Sequence, residues 1–282
     1  MQLGVNTWVW ASPLSDAELE RLVPLIADMG FDWIELPIEQ PNGFDYQRAA
    51  TLIRTARLGV SVAAAIGADR DLLHPDPAVR ANGRAYVEHC IAAADTLGAA
   101  IVMGPIYSAV GRTWQMSAAE REHDTELLVG QLRELADNAK QHGVTLAIEP
   151  LNRFETSFLN LAEQGIALID RVAHPHCQLM LDTFHMNIEE RSLGAAIRAV
   201  GPRLRHLHAC ENDRGTPGSG HVAWNEVAEA LHEINYNGAV VIESFTDQVK
   251  TIARAAAIWR PLAASPDALA RDGLAFLQKL FR

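Results

Sequence analysis

The sequence predicts an α/β fold of one domain, a closed (β/α)8 barrel carrying a C-terminal helical extension. Three observations lead there. Eight short apolar runs alternate with longer amphipathic stretches. Several of those stretches end in a glycine just before the next run, where a left-handed helix cap belongs. The 282 residues would fit two small domains or one barrel of about 250 residues, and the absence of a low-complexity linker between the repeated units favours one.

The elements follow in order. The first strand is read over Leu3–Trp8; its "GVNTWVW" is not the glycine-rich first turn of a doubly wound sheet. Gly30 closes a helical stretch and precedes a strand at Trp33–Leu36. Gly59, Gly98 and Gly143 do the same before Val60–Ile66, Ala100–Gly104 and Thr145–Glu149. Further runs at Gln178–Asp182, Leu204–His208 and Ala239–Glu243 complete the eight, with helical patterns filling each gap. Residues 260–282, with Pro261 and Pro266 ahead of an Ala/Leu-rich helix, lie beyond the eighth unit as an extension over the barrel's outside or a partner subunit.

Composition excludes several classes. Hydrophobic residues at 49% and charged residues at 21% can bury a large core, which rules out a disordered chain. A formal charge of −11 with no clustered Lys and Arg argues against a nucleic-acid partner. Cys90, Cys177 and Cys210 are odd in number and far apart, so no disulfide framework is expected. With no signal peptide pattern and no 18-residue apolar run, the expectation is a cytoplasmic protein without a membrane partner.

Function is written at four strand ends. Glu149 in "LAIEP", Asp182 in "LMLDT", His208 in "LRHLHA" and Glu243 in "VVIES" end consecutive strands, separated by 33, 26 and 35 residues. All four therefore sit at the C-terminal mouth, where barrels of this kind place their chemistry. Ile148, Leu181, Leu207 and Ile242 should face the helices, which turns each of the four inward. Three carboxylates crowded there would repel one another unless a cation neutralised them. One divalent ion does so, and a set rich in oxygen with one imidazole suits Mn2+, Mg2+ or Co2+ better than a structural zinc site. Singly, each acid could merely cap its strand or pair with an arginine; in shared register the metal site is the better explanation.

The segments "LNRFET" (Leu151–Thr156), "LDTFHMNIEE" (Leu181–Glu190) and "WRPL" (Trp259–Leu262) fall in order with those positions. With them the chain resembles the ketose 3-epimerases, the D-tagatose and D-allulose 3-epimerase family of the xylose-isomerase-like TIM barrels. The resemblance is strong over the last four strands and weaker over the first four. It implies a metal-dependent isomerase of carbohydrate metabolism that epimerises a free keto sugar at C3 through a cis-enediolate. It assigns Glu149, Asp182, His208 and Glu243 to one metal ion, with Glu149 and Glu243 moving the protons, and it assigns Glu155, His185 and Arg214 to the carbonyl end of the substrate. A homodimer or homotetramer is implied too.

Other residues have plainer readings. His206, one layer below His208, reads as a hydrogen-bonded core histidine, and Glu35 at the end of the second strand has no assigned role. Asn187, Glu189 and Glu190 suit the start of the following helix as cap and dipole partners. Glycines in "RGTPGSGH" (Arg214–His221) serve loop geometry. Trp8, Trp10 and Trp114 read as packing residues, with stacking on a sugar as the alternative. The chain departs from the family at Asn6, where an aromatic is expected, at Ala65, and in "GPIYSAVGRTWQMS"; these positions should line the far end of the pocket and bear on the substrate's tail. An epimerase of a 3-keto glycoside or another sugar isomerase is the competing enzyme reading. A metal-dependent phosphodiesterase would need extra histidines on strands three and four, where "AAAIGAD" and "IVMGPIY" have none, and a non-catalytic sugar-binding barrel leaves the full ligand set unexplained.

Overall fold

The computed structural model describes all 282 residues. Its strands are β1 (Gln2–Asn6), β2 (Trp33–Pro37), β3 (Gly59–Ala63), β4 (Ile101–Gly104), β5 (Thr145–Ile148), β6 (Cys177–Asp182), β7 (Leu204–Ala209) and β8 (Ala239–Ile242). They pair in parallel in sequence order, and β8 closes on β1 through Gln2 to Ala239 and Val5 to Ile242. Apart from exposed residues near strand starts, Gln2 and Arg205, both strand faces are buried, which is why most strands read as apolar runs and not as alternation.

The connecting helices are α1 (Asp16–Met29), α2 (Tyr46–Ala56), α3 (Pro77–Leu97), α4 (Ala118–Gln141), α5 (Ala162–Val172), α6 (Thr183–Glu189), α7 (Leu193–Val200), α8 (Trp224–Glu233), α9 (Lys250–Ala255) and α10 (Pro266–Phe281). Their starts are encoded locally. Ser15, Asp45 and Asp76 accept from first-turn amides of α1, α2 and α3, and Ser117 and Glu120 form a capping box on α4. At the other end Gly30, Gly98 and Gly143 adopt positive φ as expected. Gly59 does not. The left-handed cap of α2 is Arg57, at φ 60°, and Gly59 is already the first residue of β3. Glycine is needed there for space: a Cβ on Gly59 would lie 2.0 Å from the Trp33 ring.

Of the two placements expected for residues 260–282, the structure shows cover over the barrel's outside. Ser265 caps α10, which packs on β8, β1 and α8 and thus supplies the helix of the eighth unit. Trp10 Nε1 donates to Asp267 Oδ1 at 2.7 Å, tying the loop after β1 to this helix. The two prolines mark the turn into α10 and not a domain edge.

Between strands and helices lies the main core, in which Leu3, Val5, Ile34, Leu36, Ile148, Leu181, Leu207 and Ile242 are fully or almost fully buried. Inside the barrel, Ala63, Met103, Ala147 and Met180 form a small apolar cluster with Trp8. Residues two further along, Glu149 and Asp182, repeat that inward direction one layer higher. On β7 a register shift pairs Leu179 with Leu204 but Met180 with His206, and both His206 and His208 end up inside. Cys90, Cys177 and Cys210 are free and buried. No helix is long and apolar enough to cross a membrane.

Candidate active site

The barrel mouth opens into a pocket with two unlike halves. Glu149, Glu155, His185, His208, Arg214 and Glu243 line one half, and Trp8, Ala63, Ala64, Ala65, Ile66, Met103, Val110, Phe245, Ile252, Ala255 and Ala256 wall the other. Every carboxylate and imidazole of the polar half except Glu155 is less than about a tenth exposed.

Ligand atoms of Asp182, His208 and Glu243 lie within 4.8 Å of one another, and Glu149 groups in the same way with Asp182 and His185. Asp182 is common to both groups. Arg214 Nη1 sits between two of the carboxylates, 2.7 Å from Asp182 Oδ2 and 2.6 Å from Glu243 Oε2, with its guanidinium 4.0 Å above the Phe184 ring. Burial raises Glu149 well above the usual carboxylate range, with Glu243 and Asp182 adding to it against the pull of His208. Burial and Glu243 raise Asp182 despite Arg214. Glu243 is also pushed up by burial, but His208 and Arg214 outweigh that and leave it lowered. Burial opposes the charged form of His208, yet Glu243 and Glu35 prevail and hold it well above its ordinary value.

These residues fit a metal ion. His208 Nδ1 is buried without a hydrogen bond, 3.4 Å from Glu243 Oε1, so it faces the cluster with no protein partner. Three carboxylates share the site with one permanent cation, Arg214, and a dication would take the place of protons now favoured on Glu149 and His208. Asp182 also caps α6, its Oδ1 accepting from Phe184 N at 2.8 Å, which fixes its rotamer.

The other expected residues surround this group. His185 Nδ1 accepts from Asn152 N at 3.0 Å, which puts the ring proton on Nε2. Burial, with Arg214 and His208, pushes His185 well below its ordinary value, so the ring is neutral. Its Nε2 faces Arg214 Nη2 at 3.2 Å, two donors converging on one space. Glu155 is farther out, accepting from Asn152 Nδ2 at 2.9 Å, and burial raises it. Arg214 itself sits at φ 65°, its carbonyl accepting from Ser244 Oγ at 2.6 Å. Its loop is organised by buried Glu211, which accepts from Gly218 N, Val222 N and Trp224 Nε1 at 2.8–2.9 Å.

Several expectations need correction. Asn6 does not line the pocket: it is fully buried, with Nδ2 donating to Glu35 Oε1 and Oδ1 accepting from Trp8 N, both at 2.8 Å. Ala65 and the strand-four loop residues Gly104, Pro105 and Val110 do line it. Asn187 and Glu189 end a helix that begins at Thr183, because Asp182 takes the cap. Glu189 instead pairs with Arg153 at 2.9 Å, and Glu190 accepts from Ala162 N at 2.7 Å, serving the start of α5. Of the tryptophans only Trp8 reaches the pocket, 5.4 Å from Phe245; Trp10 binds Asp267, and Trp114 covers Arg112 at 4.6 Å. His206 is a buried core residue but not hydrogen-bonded: its Nε2 lies 2.7 Å from Glu35 Oε2 without hydrogen-bond geometry, and Nδ1 has no partner. Residues the sequence did not single out are Asn152, which orients His185, and Glu211. Neither carries a local signal, since each depends on a partner from another segment.

A family model described as "Xylose isomerase-like TIM barrel" matches residues 23–280. The chain is 35% identical over 287 aligned residues to the D-psicose 3-epimerase of Agrobacterium fabrum, covering 98% of each chain. It is 34% identical over 278 residues to the L-ribulose 3-epimerase of Mesorhizobium japonicum, covering 98% of this chain and 93% of that one. Among solved structures, the D-allulose 3-epimerase of Methylomonas sp. in complex with D-allulose superposes with a TM-score of 0.94 at 29% identity, over 100% of this chain and 97% of that one.

Proposed function

The chain belongs to the xylose isomerase-like TIM-barrel family, among its ketose 3-epimerases, and on that ground we propose that it is an isomerase inverting C3 of a free ketose, D-psicose and L-ribulose being the first candidates. One observation carries the reading: Asp182 groups both with His208 and Glu243 and with Glu149 and His185, beside a pocket into which His185 and Arg214 point donors.

In the proposed site Glu149, Asp182, His208 and Glu243 hold one divalent ion, Mn2+ first and Mg2+ or Co2+ as alternatives. When bound, that ion supplies electrophilic polarisation of the carbonyl and its neighbouring hydroxyl. A substrate oxygen entering between His185 Nε2 and Arg214 Nη2 accepts from both and is fixed at the carbonyl end; Glu155 is assigned to the same end. Glu149 and Glu243, just after β5 and β8, would flank C3 from opposite faces, so that one removes its proton and the other delivers a proton to the far side of the resulting planar enediolate. A single fixed base reaches both faces poorly, which is why two are needed. The apolar half of the pocket takes the sugar's tail by contact alone. Ala63, Ala64, Met103 and Gly104 at the ends of β3 and β4 offer no ligand for the additional metals of a phosphodiesterase.

A homodimer or homotetramer belongs to the same proposal, supported by Phe154 at 75% and Trp259 at 84% exposed, as does a reducing cytoplasmic setting for the three free thiols. Ion-loaded protein incubated with free ketoses and with 3-keto glycosides, the products resolved by chromatography, tests the reading. Formation of the C3 epimer of a free ketose supports it. Turnover of the glycosides alone replaces it with the keto-glycoside reading, and no turnover of either class removes both.

A further inference from the structure

Glu35, at the inner face of β2, is fully buried and lines no part of the pocket, so neither substrate nor solvent accounts for it. A buried carboxylate is costly unless its oxygens are satisfied. Here the surroundings fix the direction of each hydrogen bond. The backbone N–H of Trp8 can only donate, so the Asn6 atom it meets at 2.8 Å is Oδ1, and the Asn6 amide nitrogen must face Glu35 Oε1, also at 2.8 Å. The indole N–H of Trp33 likewise donates to Ser61 Oγ at 3.0 Å, which leaves the Ser61 hydroxyl proton for Glu35 Oε2 at 2.8 Å. His206 Nε2 lies 2.7 Å from the same oxygen, without the geometry of a hydrogen bond. Donors thus converge on both oxygens, Glu35 is an acceptor only, and His208 Nε2, 2.8 Å from Oε1, must carry its proton.

We propose that Glu35 is a positioning residue of the metal site: it binds the Nε2–H of His208 so that Nδ1 alone is presented to the cation position beside Asp182 and Glu243. Such a carboxylate–imidazole pair fixes both tautomer and ring orientation of a metal ligand. Asn6 has its place in the same device. Its amide is buried and turned to Glu35, away from the pocket. The inference rests on His208 being a ligand, as proposed above.

Two measurements test it. In ion-loaded, 15N-labelled protein with a diamagnetic metal such as Mg2+ or Zn2+, the two-bond spectrum of His208 should show a protonated Nε2 and an unprotonated Nδ1. Nδ1–H, or a metal-bound Nε2, overturns the inference without any need for a variant to fold. By titration calorimetry, Glu35→Gln should bind Mn2+ about 10- to 100-fold more weakly than wild type, with the same stoichiometry of one and with the ketose KM at saturating ion unchanged. An amide cannot accept from donors on both sides, so the His208 ring loses its anchor. Wild-type affinity in folded Glu35→Gln overturns the inference, as does a second ion per wild-type chain, because Glu35, His206 and His208 would then be ligands themselves. A wild-type protein that binds no ion sinks the underlying metal reading instead, which separates the two failures.

Discussion

Replacing Arg214 with alanine removes the one permanent positive charge among three buried carboxylates. Arg214 is 6% exposed and bridges Asp182 and Glu243 at 2.7 and 2.6 Å. Breaking a buried pair by deleting one partner costs about 3–5 kcal/mol, because the other charge is left uncompensated. With an unfolding entropy of about 2.1 cal/mol/K per residue, roughly 0.6 kcal/mol/K for a chain of 282 residues, the Tm of ion-free protein should fall by about 5–8 °C. A bound dication would neutralise the same carboxylates. What remains lost is the stacking over Phe184, about 1–2 kcal/mol, so the drop should shrink to about 2–3 °C in saturating Mn2+. Differential scanning calorimetry with chelator and with Mn2+ reads both numbers, and kcat/KM should fall about 10- to 150-fold from the lost charged hydrogen bond while ion binding persists. Equal Tm drops in the two conditions, or loss of ion binding with Arg214, would refute the reasoning.

Three further outcomes are expected. Glu149→Gln and Glu243→Gln should each lower epimerisation by about two to four orders of magnitude with the circular dichroism unchanged, and near wild-type rates in both would remove the two-base scheme. A ketose lacking its terminal hydroxyl should keep kcat/KM within about tenfold, since no polar side chain meets the tail; a loss beyond that in steady-state kinetics points to an unseen donor. Burial raises Glu211, but its bonds to Trp224, Val222, Asn212 and Gly218 outweigh that and leave it below the ordinary value of 4.5, so its stabilisation is present above that pH and disappears as pH falls through the lowered folded value. Urea unfolding should therefore show Glu211→Gln less stable at neutral pH by about 1–3 kcal/mol, with the gap closing in acid; a gap that widens there contradicts the assignment.

The strands were legible in the sequence because a parallel barrel buries both strand faces, so that runs such as "LMLD" and "AVVI" stand out from amphipathic helices. The candidate site stood out for the same reason: Glu149, Asp182, His208 and Glu243 interrupt buried runs at one layer, and the proposed metal site accounts for all four together. What escaped depends on contacts across the barrel. Glu35 is visibly a buried acid, but its partners on β1, β3 and β7 are set by closure and inward direction together. Asn6 occupies a pocket position in sequence terms and turns away because Glu35 needs its amide. Gly59 looks like a helix cap until the Trp33 ring is seen against it. That α10 packs on β1 and β8 and not on a partner subunit could not be read from Pro261 and Pro266, because nothing local to the extension names its contact.

The most direct measurement is epimerisation of a free ketose by Mn2+-loaded protein in deuterated water, followed by NMR of the product. The expected result is inversion at C3 with deuterium on the inverted carbon, from an acid that exchanges with solvent, and no conversion once the ion is chelated. Full-rate inversion in the presence of chelator, or a product with no deuterium at C3, would contradict proton transfer by Glu149 and Glu243 at a metal site.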